Sequence, residues 1–235
     1  MLKNPLPYSS GFRALLMEGT LKIVLLGSPG SGKGTTRDLI AQHYNLKTII
    51  VGDIVKQEIR NETPLGKLMY KYTTEGKLVP DQFVMDLLAN QCSDLKNYNG
   101  FIIDSAPLSI EQKHELQKRL DIDVAVYLKI TDYNIVRQRT ALRLVCPNCK
   151  LVSSVLSTPD AICPRCGAHL ERRYDDNPQT VETRINRFIH ETIPVVNEFK
   201  KEGKVVTINA ELDKQVVFNE IIKKLDNFFN KSTLK

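Results

Sequence analysis

Leu21-Lys22-Ile23-Val24-Leu25-Leu26 runs directly into Gly27-Ser28-Pro29-Gly30-Ser31-Gly32-Lys33-Gly34-Thr35. The second stretch is the phosphate-cradling pattern G-x-x-x-x-G-K-[ST], with one extra glycine between the lysine and the threonine. Small residues let successive backbone N–H groups turn inward around an anion. The lysine places a charge on the outer phosphates, and a hydroxyl follows at the electropositive start of a helix. That chemistry needs a strand before the loop and a helix after it. Both are legible: the apolar run, then Lys33–Tyr44 with Leu39, Ile40 and Tyr44 on one helical face. A glycine-rich turn with no ligand would not need this frame, so the stretch implies a nucleoside triphosphate site.

Outward from the loop, strand and helix signals alternate. Strands are expected at Lys22–Leu26, Thr48–Val51, Phe101–Asp104, Val124–Ile130 and Val205–Ile208. Helices are expected near Lys33–Tyr44, Asp81–Leu95, Ser109–Leu120, Asp132–Leu144, Thr180–Lys200 and Asp213–Phe229. Alternation of this kind implies a parallel five-stranded sheet covered on both faces: a three-layer α/β/α arrangement of the P-loop NTPase type. Two stretches break the rhythm. Asp53–Leu95 carries helical signals with no strand, and Val145–Tyr174 carries prolines, four cysteines and no helical period. Insertions in an α/β domain commonly cover a ligand at the carboxyl edge of the sheet.

The totals narrow the class. The chain has 235 residues, 42% hydrophobic and 26% charged, enough for one large domain with small insertions. No run approaches the roughly 20 apolar residues that span a bilayer. Residues 1–20 hold only a short apolar piece, Ala14-Leu15-Leu16-Met17, and are expected to be an extension rather than a secretory leader. The net charge of +6 suits anionic small molecules, because much of the basic excess surrounds the phosphate loop. No nucleic-acid partner is expected, since interleaved aromatics are missing around the cysteines.

Those cysteines read Cys146-Pro147-Asn148-Cys149, then 13 residues, then Cys163-Pro164-Arg165-Cys166-Gly167. Two such knuckles bring four thiolates to a tetrahedral metal ion. Four cysteines complete the coordination shell, so the ion would be structural: Zn2+ by preference, with iron also accepting four thiolates. Disulfides and free thiols are the alternatives. Cys92 falls in an apolar helical stretch and reads as a buried thiol.

With these pieces in order the chain resembles the adenylate kinase family, in its long form with a zinc-bearing lid, from about Lys22 to the last strand. Gly27–Thr35, Gly52-Asp53, Pro64-Leu65-Gly66-Lys67, Gly76-Lys77-Leu78-Val79-Pro80-Asp81, Gly100-Phe101-Ile102-Ile103-Asp104, the pair Arg139 and Arg143, then Arg173-Tyr174-Asp175-Asp176 and Arg184 carry the resemblance. It implies Mg2+-dependent transfer of the ATP γ-phosphoryl group to AMP or another nucleoside monophosphate (NMP), in a cytoplasmic, membrane-free monomer. It implies a kinase domain over 21–235, with an NMP-binding insertion at 52–97 and a zinc lid at 145–174.

The resemblance also implies roles. Gly27, Gly30, Ser31, Gly32, Lys33, Gly34 and Thr35 would hold the ATP phosphates, and Arg139 would cover the adenine. Thr35 and Asp104 would be magnesium-associated. Lys33, Arg143, Arg173 and Arg184 would be catalytic, neutralising the transferring group. Arginine suits this work because its planar fork grips phosphate and stays charged. Val51, Asp53, Lys56, Lys77, Val79 and Gln112 would line the acceptor side, with Gln112 reading adenine. Cys146, Cys149, Cys163 and Cys166 would bind the metal.

The acceptor side departs from the family pattern. Val51 stands where threonine is usual, Lys56 where arginine is usual, and Ser105-Ala106-Pro107-Leu108 replaces Gly-Phe-Pro-Arg. The arginine that would grip the acceptor phosphate is therefore Leu108. Lys77 is a candidate substitute cation. Weak AMP use, a different acceptor, or a nucleotide-binding relative with a regulatory or assembly role would each account for the change. A GTP switch is disfavoured, because no N-K-x-D motif is present.

Overall fold

The computed structural model describes residues 20–74, 80–93, 95–153, 161–173 and 176–232. β1 (Leu21–Gly27) leads through the glycine loop into α1 (Lys33–Tyr44), and β2 (Lys47–Ile50) follows. The insertion is α2 (Val51–Arg60), α3 (Pro64–Thr74) and α4 (Asp81–Ser93). Then come β3 (Gly100–Asp104), α5 (Ile110–Gln117), β4 (Val124–Lys129) and α6 (Tyr133–Ala141). Short strands β5 (Leu144–Val145), β6 (Val152–Ser153) and β7 (Glu171–Arg172) precede α7 (Pro178–Arg187), a π-helical turn over Phe188–Thr192 and α8 (Ile193–Lys201). β8 (Val205–Asn209) and α9 (Lys214–Ser232) complete the fold.

Five strands form one sheet in the order β2-β3-β1-β4-β8, every pair parallel. Alternate side chains of β1 serve opposite faces. Leu21, Ile23 and Leu25 pack with Ile40 and Tyr44 of α1 and with Ile221, Leu225 and Phe229 of α9. Val24 and Leu26 pack with Met85 and Leu88 of α4, Leu116 of α5 and Phe199 of α8. Each fully buried aliphatic contributes about 1.5–3 kcal/mol relative to exposure, so both helical layers are held by the same central strand. This is the expected three-layer α/β/α fold.

The sheet order places the glycine loop where the chain reverses direction across the sheet. β2 and β3 lie on one side of β1, and β4 and β8 on the other. Ligands in open α/β sheets collect at this reversal, outside the carboxyl ends of the strands. Gly27 and Asp104 both sit at such ends, and Ile50, paired with Asp104, passes straight into the insertion. Within the insertion α2 and α3 pack closely at Gly66, where a Cβ would lie 1.9 Å from the Glu58 carbonyl oxygen.

Several boundaries differ from the sequence expectation for local reasons. Val51 begins α2 rather than ending β2, with Asp53 an acid in the helix's first turn. The helix expected over Asp132–Leu144 is shorter. Asp132 caps it by accepting from the Asn134 N–H at 2.9 Å, and Leu144–Val145 leaves to pair with β6 and β7. Arg143 thus lies beyond the helix that carries Arg139. The helix expected over Thr180–Lys200 is interrupted by the π turn, two residues before Pro194. Proline lacks an N–H and clashes with the carbonyl four residues back, here His190, so the wider turn accommodates it.

Candidate active site

The loop is a cradle. Gly32 sits at φ +87, a left-handed backbone that glycine adopts without strain, and a side chain at Gly27 would come within 2.6 Å of Ser31 Oγ. Ser28 and Ser31 are 1% and 3% exposed. Among the described residues their Oγ atoms are the buried side-chain polar atoms without a partner. A buried hydroxyl left unpaired costs about 1–3 kcal/mol, so two in one loop point to an anion site. Lys33 Nζ donates to the carbonyl oxygens of Gly27 at 2.8 Å and Ser28 at 2.9 Å. Gly34 and an exposed Thr35 follow in the first turn of α1.

Around this loop positive charge is crowded. Burial pulls the Lys33 ammonium down to about 8; Asp104 opposes the shift, while Arg184, Arg143 and Arg173 add repulsion. Arg143 donates from Nε to Asp176 Oδ2 at 2.7 Å, with a second bond from Nη2, and Arg184 Nη1 lies 3.6 Å from the same carboxylate. Asp176 is 4% exposed in its side chain, so one buried acid orients two arginines. Arg139 is held by the Ala210 and Glu211 carbonyl oxygens at 2.7 and 3.2 Å, in the β8–α9 connection. The arrangement suits a polyanion with several phosphates.

Asp104, at the end of β3, accepts from Ser105 Oγ at 2.9 Å and from Arg37 Nη1 at 3.0 Å. Ser105 itself is held at φ 66, a left-handed conformation costing a non-glycine residue roughly 1–2 kcal/mol. Carboxylate and hydroxyl oxygens, as Asp104 and Thr35 carry, are hard donors of the kind magnesium takes.

On the acceptor side, Val51 and Asp53 lie in the first turn of α2. Gln112 is held at both ends of its amide: its Oε1 accepts from the Leu108 N–H at 2.8 Å and its Nε2 donates to Asp81 Oδ1 at 2.9 Å. The Leu108 carbonyl accepts from the buried Thr192 hydroxyl at 3.0 Å, tying this loop to the π turn. Lys77 and Val79 lie outside the described residues, as does the side chain of Lys56. A cavity of about 190 Å³ opens beside this region, lined by Thr48, Asp53, Gln57 and Gln91 among others.

The cysteines converge as two matched knuckles. The N–H groups of Lys150 and Gly167 donate to the carbonyls of Cys146 and Cys163, and each of the two donors has positive φ. The four sulfurs lie within 4.8 Å of one another, with Cys146–Cys166 at 3.4 Å and Cys149–Cys163 at 3.5 Å. Zinc–sulfur bonds of about 2.3 Å set tetrahedral sulfur separations near 3.8 Å, so the cluster is compatible with a zinc ion. The Cys149 N–H pointing at Cys146 Sγ is the main cause holding that thiol below its ordinary range, while the Cys166 thiol paired with it is pushed up. Cys92 is buried in α4 and pushed up to about 12, an inert thiol as expected.

Sequence reading did not single out Arg37, Asp176 as a shared anchor, or Thr192. Arg37 lies in the second turn of α1, and its position in sequence carries no sign of the ion pair it makes with Asp104, 67 residues away.

A family model described as adenylate kinase matches residues 25–204. Adenylate kinase of Kosmotoga olearia is 34% identical over 217 residues, 88% of this chain and 100% of that protein. Adenylate kinase of Methanothrix thermoacetophila is 33% identical over 216 residues, again 88% and 100%. That of Ruminiclostridium cellulolyticum is 33% identical over 193 residues, 79% of this chain and 90% of its own.

Proposed function

The chain belongs to the adenylate kinase family, and on that premise we propose that it transfers the γ-phosphoryl group of Mg·ATP to AMP or another NMP. The observation that carries the reading is the convergence of Arg143, Arg173 and Arg184 on the Lys33 ammonium of the glycine loop, which burial chiefly, and these charges in addition, bring down to about 8. Such a cluster is unfavourable alone and favourable around a polyphosphate.

The acceptor phosphate is already an anion, so the transfer needs no general base; positioning and charge neutralisation do the work. Lys33 and the N–H groups from Gly27 to Thr35 would hold the β- and γ-phosphates, with Ser31 giving its hydroxyl a partner. Arg139 would cover the adenine, its guanidinium fixed by the two carbonyls it already bonds. Arg143 and Arg184, oriented by Asp176, would meet the transferring group, joined by Arg173. Asp104 and Thr35 would hold magnesium through its water; bound there, the ion would neutralise charge on the phosphates. Asp53, Val51, Lys56, Lys77, Val79 and Gln112 would form the acceptor side. The cysteine-bearing segment, residues 145–174, would fold around Zn2+ as a lid that excludes water, which would otherwise compete as acceptor.

ADP formation from Mg·ATP with AMP, GMP, CMP, UMP and their deoxy forms tests this. Turnover with at least one NMP is expected. ATP binding without turnover on any would refute the transferase reading and favour a non-catalytic nucleotide-binding role, which the missing arginine at Leu108 would then explain.

A further inference from the structure

The donor side has Lys33 and three arginines, yet the side of Asp104 that faces the insertion is served differently. Asp104 sits between two strand ends. Its partner Leu25 on β1 leads into the phosphate loop, and its partner Ile50 on β2 leads into α2. Leu108, the next element along, brings no charge. Arg37 reaches this junction from α1. Its side chain is 14% exposed, comparable to Arg143 at 15%. It lies in the second turn of α1 and is drawn to the junction by its ion pair with Asp104.

Its bonding is uneven. Nη1 is pinned to Asp104, a side chain 8% exposed, at 3.0 Å. The other edge of the guanidinium, Nε and Nη2, is forked onto Asp38 Oδ1 at 2.8 and 2.7 Å. Asp38 is 64% exposed and adjacent in sequence. An exposed ion pair of that kind contributes little, and a phosphate carries more charge and matches the fork better. One edge is therefore anchored in the site, and the other is held by a partner that a phosphate can displace.

We propose that Arg37 binds the acceptor phosphate in this chain: anchored to Asp104 through Nη1, it turns its Nε/Nη2 edge from Asp38 to the phosphate of the NMP. The proposal rests on the transferase reading above but is tested without turnover. In this arrangement Asp104 orients the arginine as well as lying beside the magnesium position, and Leu108 leaves room rather than a defect.

The experiment is equilibrium titration calorimetry of the full chain with AMP, GMP, CMP and UMP, each paired with its nucleoside, on the wild type, Arg37→Met and Arg37→Lys. The wild type is expected to prefer at least one NMP over its nucleoside. Arg37→Met should weaken that NMP roughly 30-fold to several-thousand-fold and leave the nucleoside unchanged. Arg37→Lys keeps a charge near Asp104 without the fork, and should fall between; it decides the matter if Arg37→Met does not fold. Arg37→Met with Leu108→Arg should recover NMP binding. Where turnover is measurable, KM for the NMP should rise with KM for ATP unchanged. A wild type with no NMP preference, or an Arg37 variant that loses ATP or nucleoside instead, overturns the proposal. A wild type that prefers an NMP yet turns none over would leave Arg37 in place and refute only the transferase reading.

Discussion

Lys33→Met should change how the stability of the ligand-free protein depends on pH. Burial, with the repulsion of Arg184, Arg143 and Arg173, lowers the Lys33 ammonium from 10.5 to about 8. Between those values the unfolded chain binds the proton and the folded chain does not. Stability therefore rises with pH across that window, and below it the charged lysine is a full cost to the fold. At pH 7 the gap corresponds to roughly 3 kcal/mol. By pH 9.5 linkage reduces it to about 1.4 kcal/mol, because the folded lysine is then mostly neutral. Methionine keeps the length of the side chain and removes the titration.

The quantity to measure is the difference in unfolding free energy between wild type and Lys33→Met, from urea titrations at both pH values. All other titrating groups are shared and cancel to first order. The lost bonds to the Gly27 and Ser28 carbonyls add a constant. The wild type should gain about 2 kcal/mol on the variant between pH 7 and pH 9.5. A difference that does not move with pH would mean that Lys33 titrates normally in the fold, and would remove the charge-crowding basis of the site.

A polyphosphate should restore the lysine's charge, so ATP binding near pH 8.5 should take up a proton and show a heat that varies with the ionisation enthalpy of the buffer; equal heats across buffers would contradict this. Removing the metal with a chelator, or making Cys163→Ser, should lower the midpoint of a transition confined to the segment around the cysteines while the sheet melts as before; a single unshifted transition by calorimetry would count against a structural metal. Leu108→Arg should improve NMP binding by about tenfold or more where the pocket accepts a second fork, since the Leu108 backbone is already fixed by Gln112 and Thr192; unchanged affinity would show that Arg37 already meets the need.

The fold was legible because its central stretch obeys several rules at once. β1 is apolar but for Lys22, the loop glycines admit positive φ, and α1 ends where Asn45 adopts a left-handed cap, so both ends of Lys33–Tyr44 agree between sequence and structure. Helix ends failed where side chains or long-range pairing decide. Asp132 reads as a helical residue until its carboxylate is seen capping, and Leu144 as a helical apolar until its strand partners are known. The π turn depends on Pro194 and on what lies beneath, which periodicity does not report. The cysteine knuckles were legible from spacing alone, because four thiols with two matched turns have few other uses. Arg37 and the sharing of Asp176 were not, since each becomes meaningful only when distant segments meet at one carboxylate.

That meeting sets how ligand binding must proceed. Arg139 is held by carbonyls, Arg143 and Arg184 by Asp176, Arg37 by Asp104 and Asp38, and Gln112 by Asp81 and the Leu108 N–H. Binding is therefore an exchange of partners, and its free energy is a difference between two sets of charge-assisted bonds. The exchange is cheapest where the protein's own partner is exposed. Asp176, at 4%, is too costly to leave unpaired, so Arg143 keeps it and offers only its remaining N–H groups. Asp38, at 64%, returns to water at little cost, and the fork it releases is whole. On the proposed reading Arg143 and Arg184 would be preset and contribute orientation, whereas Arg37 would turn an entire bidentate edge to a phosphate. Specificity for the acceptor would then reside in α1 and the end of β3, beside a Gln112 whose amide is oriented by Asp81 and the Leu108 N–H.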